Sequence, residues 1–496
     1  MQLQFEKREL HCLTQAVHSV KDQELTQEIR LTDDMPDVGR VLAGWGQVIL
    51  RGKEWQGSQM AAAGGVQASL LYAPEDGTEP RKVEAWIPFQ FKWEGAETDR
   101  EGPMRIMPVV RFVDGRNLSA RKILIRAGLS CLGEGLCPHA AEIYSSPAVP
   151  EDVELLRRSY PIRLPREAGE KTFTLEQTLD MGTDAPAEIL AYTIRPELTD
   201  AGVTGDKVVL RGSGRLHLVW RCREGRIRTR DFEIPISQLG ELERSYDSHA
   251  RAHVLTAVTG LELEMEEENP VVKCSMTAQY LVDDRMMLEL VEDAYSPCRE
   301  VGLRQEELHL PLILDETRER VSARGEFPGV MMEAADAVFW PGFPRLNREG
   351  DRVELEIPGR FQLLGYGPDG GVQAFTAHWV GKTALAADES SALEGVTEPA
   401  GDAQWLATGS GMETRADVQL HLHTRSRQGM PMLTGLEFGP VRQVDRERPT
   451  LILCRPGKRG LWELAKGTGA SVSAIREANG LTDDPEDNRM LLIPVP

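Results

Sequence analysis

No stretch of this 496-residue chain approaches the roughly 18 consecutive apolar residues of a membrane-spanning helix, and the N-terminal MQLQFEKRELHCLTQAVHSV has no apolar core behind its basic residues. The expectation is a soluble, unexported protein, cytoplasmic in location. Cysteine is sparse: seven, at 12, 131, 137, 222, 274, 298 and 454, an odd number without the dense spacing of a secreted disulfide framework. That points to a reducing compartment. Basic residues are outnumbered, 57 against 78 acidic, for a formal net charge of −21. Such a field repels phosphate backbones and anionic bilayers, which argues against nucleic acid and membrane surfaces and favours protein partners. Helical periodicity is scarce before residue 450. No GxSxG, HExxH or cysteine-centred nucleophile signature occurs, and acidic pairs such as Asp283-Asp284 sit in apparent turns, so the expectation is not an enzyme. A chain of this length exceeds a single core and divides into three or four domains.

What the sequence does contain is a recurring hairpin. In Arg211–Ser237, RGSGRLHLVWRCREGRIRTRDFEIPIS, Leu216, Leu218 and Trp220 alternate with His217 and Val219 up to a turn at Arg223-Glu224-Gly225. GRFQLLGYGPDG at 359–370 aligns with GRLHLVWRCREG at 214–225 without a gap, offset by 145 residues, and VQASLLYAPEDG at 66–77 aligns more weakly at an offset of 148. Three copies at one period mark a repeat protein. The predicted architecture is mainly β, with three β-sandwich-like repeat domains and a small α+β (βααβ) tail. The boundaries are 1–145 for an N-terminal segment plus the first repeat, 146–172 for a proline-bearing linker (Pro147, Pro150, Pro161, Pro165), 173–311 and 312–440 for the other repeats, and 449–496 for the tail. Residues 386–401, small and acidic, read as a mobile loop.

Isolated motifs are weak. Gly381-Lys382-Thr383 ends like a phosphate loop, but Thr376 occupies the place of the leading glycine, so no nucleotide is expected. Cys131, Cys137 and His139 offer three soft ligands at a spacing wider than zinc sites use, and packed thiols are the simpler reading. His421 and His423 alternate with Leu420 and Leu422 on one strand face, a solvated or interfacial face rather than a metal pair, because no Cys or carboxylate stands at ligand spacing. Neither metal nor cofactor is expected. Arg211, Arg215, Arg221, Arg223, Arg226, Arg228 and Arg230 form a positive stripe, read either as a face kept soluble and unpaired or as a docking surface for an acidic partner.

The last 48 residues read as a strand at 451–454, helices near 461–466 and 472–478, and a closing strand at 490–494. This tail resembles a LysM domain in Leu461-Trp462-Glu463-Leu464-Ala465, Ser471-Val472-Ser473-Ala474-Ile475, Asn479-Gly480-Leu481 and Leu491-Leu492-Ile493-Pro494. The upstream hairpins with FEIPIS resemble the SPOCS (DUF3794) family of spore-forming Firmicutes. The combined resemblance implies a non-enzymatic scaffold in endospore coat assembly, at the forespore surface in the mother cell, whose LysM domain docks a SpoIVA-like coat-basement ATPase. Lys458, Arg459, Leu461, Asn479 and Leu481 are the partner-binding candidates, and Trp462 is expected in the tail core. LysM loops that read Gly-Asp-Thr and Pro-Gly-Gln are here Lys458-Arg459-Gly460 and Glu486-Asp487-Asn488. Charged loops suit a protein better than N-acetylglucosamine, so peptidoglycan binding is expected to be weak or absent. A peptidoglycan-binding wall protein and a phage-tail hub component are the alternatives.

Overall fold

A computed structural model describes residues 2–95, 102–145, 148–182, 184–267, 269–426, 428–441, 450–455, 460–481 and 490–495. Among the described residues the fold is mainly β, built from several separate sheets with two short helices. Among the described residues no helix is long and apolar enough to cross a membrane.

One connectivity occurs three times. In the first unit the opening strand Glu6–Arg30 pairs with the last, Lys122–Ser145, which pairs with Met104–Ser119. The three strands between, Val38–Gln56, Gln59–Pro74 and Arg81–Glu94, form a second sheet. In the second unit Glu154–Thr178 lies likewise on Asn269–Tyr295 on Arg251–Glu266, and pairing of Arg251 with Gly202 joins these strands to the inserted hairpin in one five-stranded sheet. Its Pro186–Cys222 strand, 37 residues long, folds back at Gly205 (φ 60°), where the Thr199 hydroxyl reaches the carbonyl of Arg211 at 3.3 Å, and then pairs with Ile227–Tyr246. In the third unit Ile313–Pro328 lies on Gly411–Ser426, itself on Ser391–Thr408, while Glu333–Pro341, Arg345–Glu349 and Val372–Ala386 flank Arg352–Tyr366.

The turns recur with the strands. Gly77, Gly225 and Gly370 close the three aligned hairpins at φ of 75°, 84° and 78°, and each amide bonds the carbonyl three residues back. Gly57, Gly205 and Gly350 stand at the preceding turn with φ of 64°, 60° and 59°, spaced by the same 148 and 145 residues. Left-handed backbone is open to glycine without the Cβ penalty, so hairpin geometry holds these positions.

Between the two sheets of the first unit lies an apolar layer set by period-two alternation. Ile87, Phe89, Phe91 and Trp93 point inward from one strand and meet Ile123, Ile125, Ala127 and Leu129 of the other sheet. Burying such a side chain contributes about 1.5–3 kcal/mol. The start of the chain is tied to its far end: Gln2–Gln4 and Arg299–Leu308 pair with opposite edges of Met430–Val441.

Two expectations are corrected. The supposed linker at 146–172 is largely strand, since Glu154–Thr178 pairs over its length with Asn269–Tyr295. Pro161 and Pro165 are tolerated because this strand is a sheet edge, and the register slips beside Pro165. Residues 386–401 are not a loop but mostly the Ser391–Thr408 strand, whose small residues fit a paired, partly buried backbone.

Candidate functional site

All three units meet at a central apolar junction. Ala43, Trp45 and Leu71 of the first pack with Leu190, Val219 and Ile227 of the second and Leu364 of the third. Buried amides bridge the units: Gln362 pairs with both the amide and the carbonyl of Gly44 at 3.1 Å, and Gln279 does the same to Ile106 at 2.9 and 2.7 Å. A carboxamide carries donor and acceptor together, so it satisfies an interrupted strand edge as a neighbouring strand would. Beside the junction is a cavity of about 170 Å³ lined by two strands from each unit, including Val48, Val109, Ile194, Thr256, Phe339 and Thr397.

Charge is concentrated at these contacts. His217 sits between Asp231 (2.8 Å) and the buried Asp336 (2.9 Å), and Asp336 also accepts from the Trp45 indole at 2.9 Å. Burial opposes a charged imidazole, yet the two carboxylates win and raise His217 to about 10. Glu134, 4% exposed, takes Arg105 at 2.6 Å and Gln15 at 2.9 Å, with Arg425 at 3.5 Å. Against the cost of burial, Arg105, His18 and Arg425 hold it down at about 2.

A second cavity, about 90 Å³, lies between the second and third units and is lined by His253, Glu316, Arg318, Glu398, His421 and His423 among others. Single ligand atoms of His253, Glu316 and His423 all fall within 4.8 Å of one another, and the rings of His253 and His423 meet edge-on at 4.7 Å. Burial, then the cationic neighbours, hold His423 well below the usual imidazole range. Sequence spacing could not show this group, because Glu316 is the cross-strand register partner of His423 and His253 belongs to another unit.

The arginine stripe is not one exposed face. Arg221 is buried and pairs with Glu188 (3.0 Å) and Glu79 (3.2 Å), the latter from the first unit. Arg215 meets Glu197, Glu233 and Asp402 at 2.5–2.9 Å, and Arg226 meets Glu333 at 2.6 Å while lying over Tyr366. Arg230 bonds the Asp180 carbonyl at 3.0 Å, and Arg211, Arg223 and Arg228 are exposed. Guanidinium forks of the middle hairpin thus find acidic partners within the chain, and much of the stripe is spent holding units together.

In the tail, Leu451–Cys454 pairs with Leu491–Pro494 beside helices α1 (Leu461–Thr468) and α2 (Val472–Asn479). Ser471 caps α2 by accepting from the Ala474 amide, and Gly469 and Gly480 end the helices in left-handed conformation. One partner-binding candidate is corrected: Leu461 is core, 1% exposed; Asn479 is half-buried, and its amide clamps Leu492 through its N–H (2.8 Å) and carbonyl (2.6 Å). Leu481 is half-buried. Lys458, Arg459 and Glu486-Asp487-Asn488 lie outside the described residues. Trp462 packs against the tail core as expected, but it is only half-buried and also makes the contact with the second unit, stacking edge-on against Tyr295 at 4.9 Å and donating to Asp293 at 2.8 Å. Lys466 adds 2.7 Å contacts to Asp293, and Tyr295 donates to the Ala470 carbonyl. Ser473, Arg476, Glu477 and Ala478 on α2 remain exposed.

The remaining motifs are placed plainly. Gly381-Lys382-Thr383 lies on an extended strand, with Lys382 on Glu356 at 2.6 Å. Cys131 and Cys137 are both buried on Lys122–Ser145, six residues apart and so about 20 Å apart at ~3.3 Å per residue, too far to share an ion. The signal for Glu134 was readable: one carboxylate inside AGLSCLGEGLC calls for a buried cation. Comparison with protein-family models, with curated proteins and with solved structures found no match to this chain.

Proposed function

We propose that this chain is a non-enzymatic scaffold of endospore coat assembly, its units acting as three SPOCS-like, β-sandwich-like repeat domains and its tail as a LysM-like module that docks a SpoIVA-like ATPase. The reading rests on one observation: a strand connectivity used three times, its first strand pairing with its last around an inserted set of antiparallel strands, with glycine turns in register, followed by a βααβ tail. That order is similar to the architecture of the spore-morphogenesis protein SipL. The inter-unit amides and ion pairs suit a rigid platform, since a partner gains affinity when the surface presented to it is already ordered. With the α1 side of the tail held on Asp293 and Tyr295, the exposed α2 side is the face offered to a partner.

Affinity purification of the tagged full chain from sporulating cells tests this reading. Recovery of a SpoIVA-like ATPase supports it; recovery of muropeptides or of phage-tail proteins instead overturns it in favour of a wall-binding or tail-hub role. Calorimetry of the full chain against N-acetylglucosamine oligomers is expected to show no micromolar binding.

A further inference from the structure

We propose that His253, His423 and Glu316 form a binding site for a divalent transition-metal ion, a site that staples the second unit to the third. The three ligand atoms already lie within 4.8 Å of one another around one small cavity, so bringing them onto a common ion needs side-chain rotation and no movement of strands. Glu316 and His423 are directly opposite on paired strands, and His253 reaches the same point from the facing unit. Two neutral imidazoles and a carboxylate are a donor set suited to zinc, with a fourth position left for water.

The surroundings fit that role. His253 turns its Nε2 to the fully buried carboxylate of Asp283, which Arg163 also holds. A carboxylate on one ring nitrogen fixes the tautomer of a metal-bound imidazole, so Nδ1 is the nitrogen left for an ion. Glu316 gives Oε1 to Arg318 at 3.0 Å, while its Oε2 stands 3.7 Å from the half-exposed Arg251 and is the atom available to an ion. The competing use of Glu316, as a mere counter-ion for these arginines, predicts no metal affinity at all. A second trio, His18, Glu134 and Glu394, is equally close, but Arg105 and Arg425 already occupy its carboxylates, which makes it a control rather than a site.

The test uses the full chain, stripped with chelator and titrated with zinc chloride by calorimetry, and with cobalt chloride followed by visible absorption. One ion per chain is expected, with a cobalt spectrum of four-coordinate type and a thermal midpoint raised by zinc and restored by chelator. His423→Ala and Glu316→Gln are expected to abolish stoichiometric binding, and Asp283→Asn to weaken it by about 10–100-fold. His18→Ala should leave it unchanged. Circular dichroism establishes that each variant is folded. Absence of binding to the wild-type chain, or binding that survives His423→Ala or is lost in His18→Ala, overturns the proposal.

Discussion

His217 of the second unit and Asp336 of the third face each other at 2.9 Å, with Asp336 1% exposed and also held by Trp45 of the first. One carboxylate therefore joins all three units. Its partner imidazole carries a proton in the folded chain over a pH range where a free histidine does not.

The consequence is a pH-dependent stability. His217 is raised from 6.5 to about 10, so its contribution is fully present below pH 6.5 and is lost as pH rises through about 10. Denaturant unfolding at pH 6 and pH 9.5 should show a fall on the order of a few kcal/mol. In His217→Gln that slope should flatten, and stability at pH 6 should already be lower because Asp336 is left buried without its cation.

Glu134→Gln removes the carboxylate that compensates Arg105, whose side chain is 7% exposed. An uncompensated buried charge costs about 3–5 kcal/mol. The expected outcome is a matching fall in urea unfolding free energy with little change in far-UV spectrum. An effect below about 1 kcal/mol, the range of exposed pairs, would show that water reaches the network.

The tail contact depends on Asp293, which takes both Trp462 and Lys466. Asp293→Ala should weaken docking by about 1.5–3 kcal/mol, the range for hydrogen bonds to charged groups. Small-angle scattering should report a larger radius of gyration with helix content unchanged. Replacing Lys458 and Arg459 with Glu should slow partner association without unfolding the tail.

At Gly77 and Gly370 an added methyl meets nothing within 4 Å, but φ is 75° and 78°. Substitution by alanine should cost about 1–2 kcal/mol at each, from backbone strain alone. Thermal denaturation of the two single variants should give similar losses, since the turns are equivalent.

Much of the architecture was legible in local sequence. Leu216, Leu218 and Trp220 before Gly225 announce a strand and a turn, because alternation and left-handed glycine are properties of a few adjacent residues. The tail helices were legible for the same reason: Ser471 and Gly480 mark ends whose unsatisfied amides and carbonyls need local caps. Proline misled at 161 and 165, since whether a strand lies at a sheet edge is not written beside the proline.

What only the tertiary structure decided is where charge goes. Arg221 is read from sequence as part of an exposed stripe, yet it is buried against Glu79, and Trp462, packed on the tail core as read, also gives its indole N–H to Asp293 of the second unit. His423 had no visible neighbours of its own kind of chemistry until pairing set Glu316 opposite it and unit packing brought His253 to its ring. Strand period fixes which face a side chain takes, but its electrostatic partner comes from register and packing, which join residues far apart in the chain.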